Sequence, residues 1–211
     1  MQDRITLDIA DGVADVRLAR ADKMNALDAR MFDAVIEAGT YLAGLQELRA
    51  VVLSGEGRAF CAGLDMGNFA AMAAPGDGAS DAPETSLATR THGIANRPQY
   101  AAWVWREMPV PVIAAVHGVA FGGGFQVALG ADLRYVAPGT RVSVMEIKWG
   151  LVPDMAGTQL LRNLVRDDVA RELTYTGRIV EADEALELGL ITRICEDPHA
   201  QAMDTARGIA S

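Results

Sequence analysis

Gly118-Val119-Ala120-Phe121-Gly122-Gly123-Gly124-Phe125-Gln126 is the stretch on which the fold turns. It follows the apolar run Pro111 to Val116, which reads as a buried strand ending at Gly118, and it opens a helix between Gly124 and Gly130. Three consecutive glycines are entropically costly. They belong where the backbone takes conformations barred to other residues, or where it lies against a ligand. The helix start adds partial positive charge that suits an incoming oxygen, although tight strand–helix packing accounts for the same glycines. No Asp, Glu, Lys or Arg occurs between Glu107 and Asp132, a span long enough to cross a bilayer. Pro109, Pro111, His117, Gly118 and the glycine run break any continuous helix there, so a buried strand, a turn and a buried helix fit instead.

Upstream, apolar and polar positions alternate from Ile5 to Ile9, the chain turns at Asp11-Gly12, and alternation resumes through Val13, Val16 and Leu18, which predicts a β-hairpin. Asn25 or Asp28 can cap a helix carrying Met31, Phe32, Val35, Ile36, Leu42 and Leu45 at helical spacing. Ala50 to Leu53 is a short apolar strand that ends in the Gly-rich loop Ser54 to Gly63. The segment Ala70 to Pro83 lacks an apolar period and reads as a surface loop able to act as a lid. A helix is expected over Tyr100 to Glu107. Downstream, strands are expected at Leu133 to Val136, Val142 to Met145 and Leu190 to Cys195. Helices are expected at Gly157 to Leu164, Asp167 to Tyr175, Glu181 to Leu188 and Ala200 to Ile209. Strands alternating with helices indicate an α/β architecture.

The composition narrows the function. Half of the 211 residues are hydrophobic and 22% are charged, which predicts one compact core and excludes disorder. A net charge of −9 repels phosphate backbones and anionic membranes, so no nucleic acid and no membrane is expected as a partner. Cys61 and Cys195 are far apart, with no metal or redox spacing, and the N-terminus lacks a secretory pattern; a reducing, cytoplasmic setting follows as an expectation. No dinucleotide fingerprint, phosphate loop or nucleophile-elbow serine is present.

Two further segments carry chemistry. Gly57-Arg58-Ala59-Phe60-Cys61-Ala62-Gly63-Leu64-Asp65 follows a buried strand and can aim amide N–H groups outward, or be an ordinary strand-end turn. Met145 to Gln159 holds two carboxylates, Glu146 and Asp154, in an otherwise largely apolar run broken by Gly and Pro. Converging on one pocket they would exchange protons near neutrality; alternatively Asp154 caps the helix near Gly157 and Glu146 pairs with Lys148 or an arginine.

In order and wording these segments resemble the crotonase superfamily, the enoyl-CoA hydratase/isomerase family. Arg20 to Leu27 is similar to its early CoA-side segment, Ala59 to Asp65 to its first oxyanion loop, and Gly122-Gly123-Gly124 to its second. Glu146 to Gln159 resembles its catalytic segment and Ala182 to Leu190 its late helix-to-strand signature. The resemblance implies a spiral of ββα units with helices over the sheets, assembled as trimers or dimers of trimers, acting on acyl-CoA thioesters without a further cofactor or a metal. It implies a core over 1–195, with 196–211 beginning a C-terminal helical region that is cut short.

The same resemblance assigns the oxyanion hole to the N–H groups of Leu64 and Gly123. It assigns the CoA end to Ala62, Asp65 and Met66, with Lys23 as a phosphate contact or merely an exposed surface lysine. The family's hydratases carry glutamates at the positions of both Gln126 and Glu146. Gln126 cannot transfer a proton, so two-carboxylate hydration is unavailable as written. Asp154 stands where the family's dienoyl-CoA isomerases carry an aspartate, but those isomerases also carry an acidic residue at the place of Gln126, so the match is incomplete. The expectation is hydration or double-bond isomerisation of enoyl-CoA, isomerisation favoured, with Glu146 central, Asp154 as second acid and Gln126 as polar orienter. The alternatives are a catalytically impaired acyl-CoA-binding protein and an RNA binder, the latter opposed by scattered basic residues.

Overall fold

A computed structural model describes residues 1, 3–65, 67 and 88–211; the lid expected at Ala70 to Pro83 and the CoA contact expected at Met66 lie outside them. The hairpin forms as expected. Strands β1 (Ile5–Ala10) and β2 (Val13–Leu18) pair antiparallel around Asp11-Gly12. Helix α1 (Ala29–Ala43) is capped by Asp28, whose carboxylate accepts from the Met31 N–H at 2.7 Å. Strands β3 (Ala50–Gly55) and β4 (Val112–Val116) then add parallel to β2. Helix α2 (Arg97–Arg106) begins three residues before the expected Tyr100, because Asn96 and Gln99 bond reciprocally to each other's backbone and close a capping box.

After β4 the chain leaves the main sheet. Gly118 has φ +65°, and a Cβ there would lie 2.1 Å from the Arg58 carbonyl oxygen, so this turn is open to glycine alone. It leads into β5 (Val119–Phe121), a strand inside the stretch expected to be loop, and then α3 (Gly123–Gly130). Strand β6 (Leu133–Val136) returns to the main sheet, while β7 (Arg141–Ser143), one residue earlier and one shorter than expected, joins β5. Next come a 3-10 turn over Glu146–Trp149, α4 (Gly157–Leu161), α5 (Asp167–Thr176), β8 (Val180–Glu181) and α6 (Ala182–Glu187). Strand β9 (Arg193–Ile194) is shorter than expected, and α7 spans Pro198–Ala210.

The result is a six-stranded sheet in the order β1-β2-β3-β4-β6-β9 and a three-stranded sheet in the order β5-β7-β8. From β4 onward each turn of the chain places one strand in each sheet, which is the ββα spiral. On the main sheet Val51 and Leu53 face α1 and α2, while Ala50 and Val52 face Ala202 and Ala206 of α7. Covered on both faces, these strands read as continuous apolar runs rather than alternating ones. The charge-free stretch is therefore core, and among the described residues no helix is long and apolar enough to cross a membrane.

Candidate active site

The two glycine-bearing loops lie side by side. Cys61 N–H donates to the Val119 carbonyl at 3.1 Å and Phe121 N–H to the Cys61 carbonyl at 3.0 Å, a parallel bridge that carries the first loop alongside β5. Gly124 lets them touch, since a Cβ there would meet Cys61 Cβ, Sγ and carbonyl oxygen, each at 2.6 Å. Further along, Leu27 bonds the residues on either side of Leu64: its N–H donates to Gly63 and its carbonyl accepts from Asp65. In such a ladder the Leu64 N–H points away from Leu27. Gly123 opens α3, where an N–H has no intrahelical acceptor. Among the described residues no oxygen accepts from either N–H.

Glu146 enters from the 3-10 turn, which Gly150 closes in the left-handed conformation with its N–H on the Glu146 and Ile147 carbonyls. The side chain is buried and meets the second loop: a Cβ on Gly122 would lie 3.3 Å from Glu146 Oε1. Gln126, one turn along α3 and also buried, donates from Nε2 to Glu146 Oε1 at 2.6 Å and accepts from the Gly157 N–H at 2.8 Å. Among the described residues neither Lys148 nor an arginine pairs with Glu146. Burial pushes its carboxyl above the ordinary glutamate range; its own backbone N–H and the Gln126 bond pull down, and the Asp154 charge pushes up.

Asp154 reaches solvent along one side, yet the protein packed behind it pushes its carboxyl up as well. It does not cap α4, whose N-cap is Ala156, held at φ +69° without a side-chain bond. Two open clefts of about 490 and 410 Å³ lie elsewhere and share Arg17 and His199; Gln126, Glu146 and Asp154 line neither.

A buried carboxylate beside two unengaged amides on glycine-bearing loops is the arrangement for which comparison with known proteins decides the family. The sequence profile of the enoyl-CoA hydratase/isomerase family matches residues 8–211. The chain belongs to that family. It is 34% identical over 202 residues to the human mitochondrial delta(3,5)-delta(2,4)-dienoyl-CoA isomerase, covering 94% of this chain and 60% of that protein. It is 35% identical over 189 residues to the carnitinyl-CoA dehydratase of Salmonella enteritidis, covering 89% of this chain and 66% of the relative. The chain thus spans somewhat over half the length of the dienoyl-CoA isomerases it matches. Among solved structures, the enoyl-CoA hydratase of Mycobacterium smegmatis superposes with a TM-score of 0.81 at 31% identity, covering 98% of this chain and 76% of that one.

In this enoyl-CoA hydratase/isomerase family member the remaining expected site residues fall around the first loop. Ala62 is half-buried and its N–H donates to the Met24 carbonyl at 2.9 Å. Asp65 is engaged by Arg20 at 2.6 Å and by the Gly67 N–H at 2.8 Å, which hold its carboxyl below the usual range. Lys23 is exposed on the 3-10 turn Ala21–Lys23. Cys61 is buried, which pushes its thiol up to about 12 and leaves it inert as a nucleophile.

Three contributors escaped the sequence reading as site residues. Asn25, fully buried, donates from Nδ2 to the carbonyls of Glu56, Ala59 and Phe60 at 2.8–3.1 Å and so holds the first loop. Arg20 restrains Asp65, and Gly157 holds Gln126. Asn25 was visible as a possible helix cap and as part of the Arg20 to Leu27 segment, with no role of its own in the site.

Proposed function

We propose that this chain transfers protons on the acyl part of an enoyl-CoA thioester, shifting its double bond. The observation that carries the reading is the buried Glu146 carboxylate against Gly122, with the unengaged Leu64 and Gly123 amides on the adjoining loops. The thioester carbonyl would sit between those two N–H groups. Removing a C2 proton from a 3-enoyl-CoA moves an electron pair toward that oxygen, and the resulting dienolate is reprotonated at C4. Each positioned donor is worth roughly 10²–10³ in rate. Glu146 takes the proton, Asp154 acts as second acid toward solvent, and Gln126 orients Glu146. No cofactor is needed, because the thioester itself acidifies the proton removed.

Isomerisation is favoured over hydration because Gln126 can neither give nor take a proton at neutral pH. The likeness to dienoyl-CoA isomerases supports this reading, and the likeness to a carnitinyl-CoA dehydratase supports a common enolate step. A second reading, acyl-CoA binding without turnover, is favoured by the same glutamine. Product analysis with 2-enoyl-, 3-enoyl- and dienoyl-CoA thioesters tests both readings. Turnover that Glu146→Gln abolishes supports the enzyme, binding without turnover supports the second, and turnover untouched by Glu146→Gln removes Glu146 from the mechanism.

A further inference from the structure

The two oxygens of Glu146 are not equivalent. Oε1 accepts the 2.6 Å bond from Gln126, whereas Oε2 is buried with no partner among the described residues. What turns the Gln126 amide so that its NH2 faces Glu146 is a backbone group of another element. The Gly157 N–H, at the first residue of α4 where no intrahelical acceptor exists, donates to Gln126 Oε1 at 2.8 Å. An amide whose oxygen is held by a donor must present its NH2 on the other side. Gly157 also makes the room: a Cβ there would lie 2.5 Å from Gln126 Oε1 and 2.8 Å from its Cδ.

We propose that Gly157 is a positioning residue which, through Gln126, pins Glu146 Oε1 and leaves Oε2 as the oxygen of Glu146 that carries the proton. This rests on the reading of Glu146 as the proton-transferring carboxylate and deepens it. Gln126, 3% exposed, is bonded through both its oxygen and its NH2. Glu146 is then the one buried carboxylate of the site, with Asp154 open to solvent.

The charges around Glu146 are few. Asp154 opposes its ionisation, and Lys148 on the same turn is exposed. Helices α3 and α4 carry no charged side chain, and on α5, which packs against the turn, Arg171 is paired with Asp167 and Glu172 with Arg178. Arg141 on β7 is exposed. The Gln126 bond is therefore the principal side-chain contact favouring the ionised form.

The test is a ¹³C NMR titration of the Glu146 carboxyl in the unliganded protein, together with kcat and KM. Gln126→Leu should raise the titration midpoint by about one to two pH units, the worth of a hydrogen bond to a charged group. Gly157→Ala should move it the same way, and the double variant should match Gln126→Leu alone, since both act through one contact. In each, kcat should fall about 100-fold with KM within about threefold. Gln126→Glu, which can accept from Gly157 yet offers no N–H to Glu146, should also raise the midpoint and serves if Gly157→Ala does not fold. A Glu146 midpoint unmoved in folded variants, or shifts that add, would overturn the proposal. Absence of any thioester turnover in the unaltered protein would instead overturn the functional reading and leave the titration decisive for this one.

Discussion

Arg20 lies 2.6 Å from Asp65 and 3.5 Å from Asp28, so a single guanidinium ties the end of the first glycine-bearing loop to the residue that caps α1. Arg4 bonds Asp28 from the other side at 2.7 Å. All four side chains are mostly buried, which separates this cluster from the exposed pairs on α5.

The cluster makes stability depend on acid. Burial pushes Asp28 up, but the Arg4 bond, the Met31 N–H and both guanidinium charges outweigh it and hold its carboxyl below the usual range; the Gly67 N–H and then Arg20 do the same for Asp65. A carboxylate depressed in the folded state stabilises it above the unfolded value, about 4, and that contribution is lost as pH falls toward the folded value. Arg20→Met should cost about 2 kcal/mol at pH 7, and the cost should shrink below about pH 4. Urea unfolding at pH 7 and pH 3 checks this, and an equal cost at both would count against the cluster.

Asn25 stands between fold and site. Its Nδ2 serves three carbonyls of the first loop, its Oδ1 accepts from the Arg20 N–H at 2.8 Å, and its backbone is left-handed at φ +55°, which asparagine tolerates better than most residues. Asn25→Ala should cost about 3 kcal/mol by leaving buried carbonyls without donors. Because the Leu64 amide lies on that loop, turnover should fall more than the fraction folded does. Thermal melting beside kcat/KM at a temperature where the variant is folded separates the two effects.

Gly124 sets the spacing of the loops. Gly124→Ala places a methyl group against Cys61 Sγ, which could move, and against the Cys61 carbonyl, which is bonded to Phe121 N–H and could not. Overpacking of this kind costs about 1–3 kcal/mol. Trimming the partner by Cys61→Ala should not rescue turnover, since the backbone oxygen remains. Restoration of kcat/KM in that double variant would show the loop spacing to be irrelevant.

Much of the fold was readable because long elements leave long periods. The Val13–Leu18 strand, the Asp28-capped helix and the uncharged run through Val112–Val116 each carry several residues of pattern. The three-stranded sheet was not readable as a sheet: β5 and β7 have three residues and β8 has two, too few to show alternation, and β5 lies between glycines that read as loop. At the candidate site Glu146 stood out as a carboxylate in a largely apolar run, and Gln126 only through the resemblance, as a glutamine where the family's hydratases carry glutamate. Gly157 did not, because its part is played by a backbone N–H reaching a side chain 31 positions away, and such a contact leaves no trace in side-chain identity.

Asp154 provides the opposite perturbation to Gln126. Its negative charge raises the Glu146 carboxyl, on top of the larger effect of burial. Asp154→Asn should therefore lower the Glu146 titration midpoint and move the acid limb of kcat/KM to lower pH, because the base stays ionised further into acid. Being open to solvent, Asp154 interacts through a screened path, so a shift of about half a unit is expected, shrinking as salt is added. If Asp154 also delivers a proton, kcat on the plateau should fall about 10-fold or more, in the range of positioned acid–base groups. An acid limb that shifts with an unchanged plateau would restrict Asp154 to electrostatics and leave Glu146 as the only proton carrier.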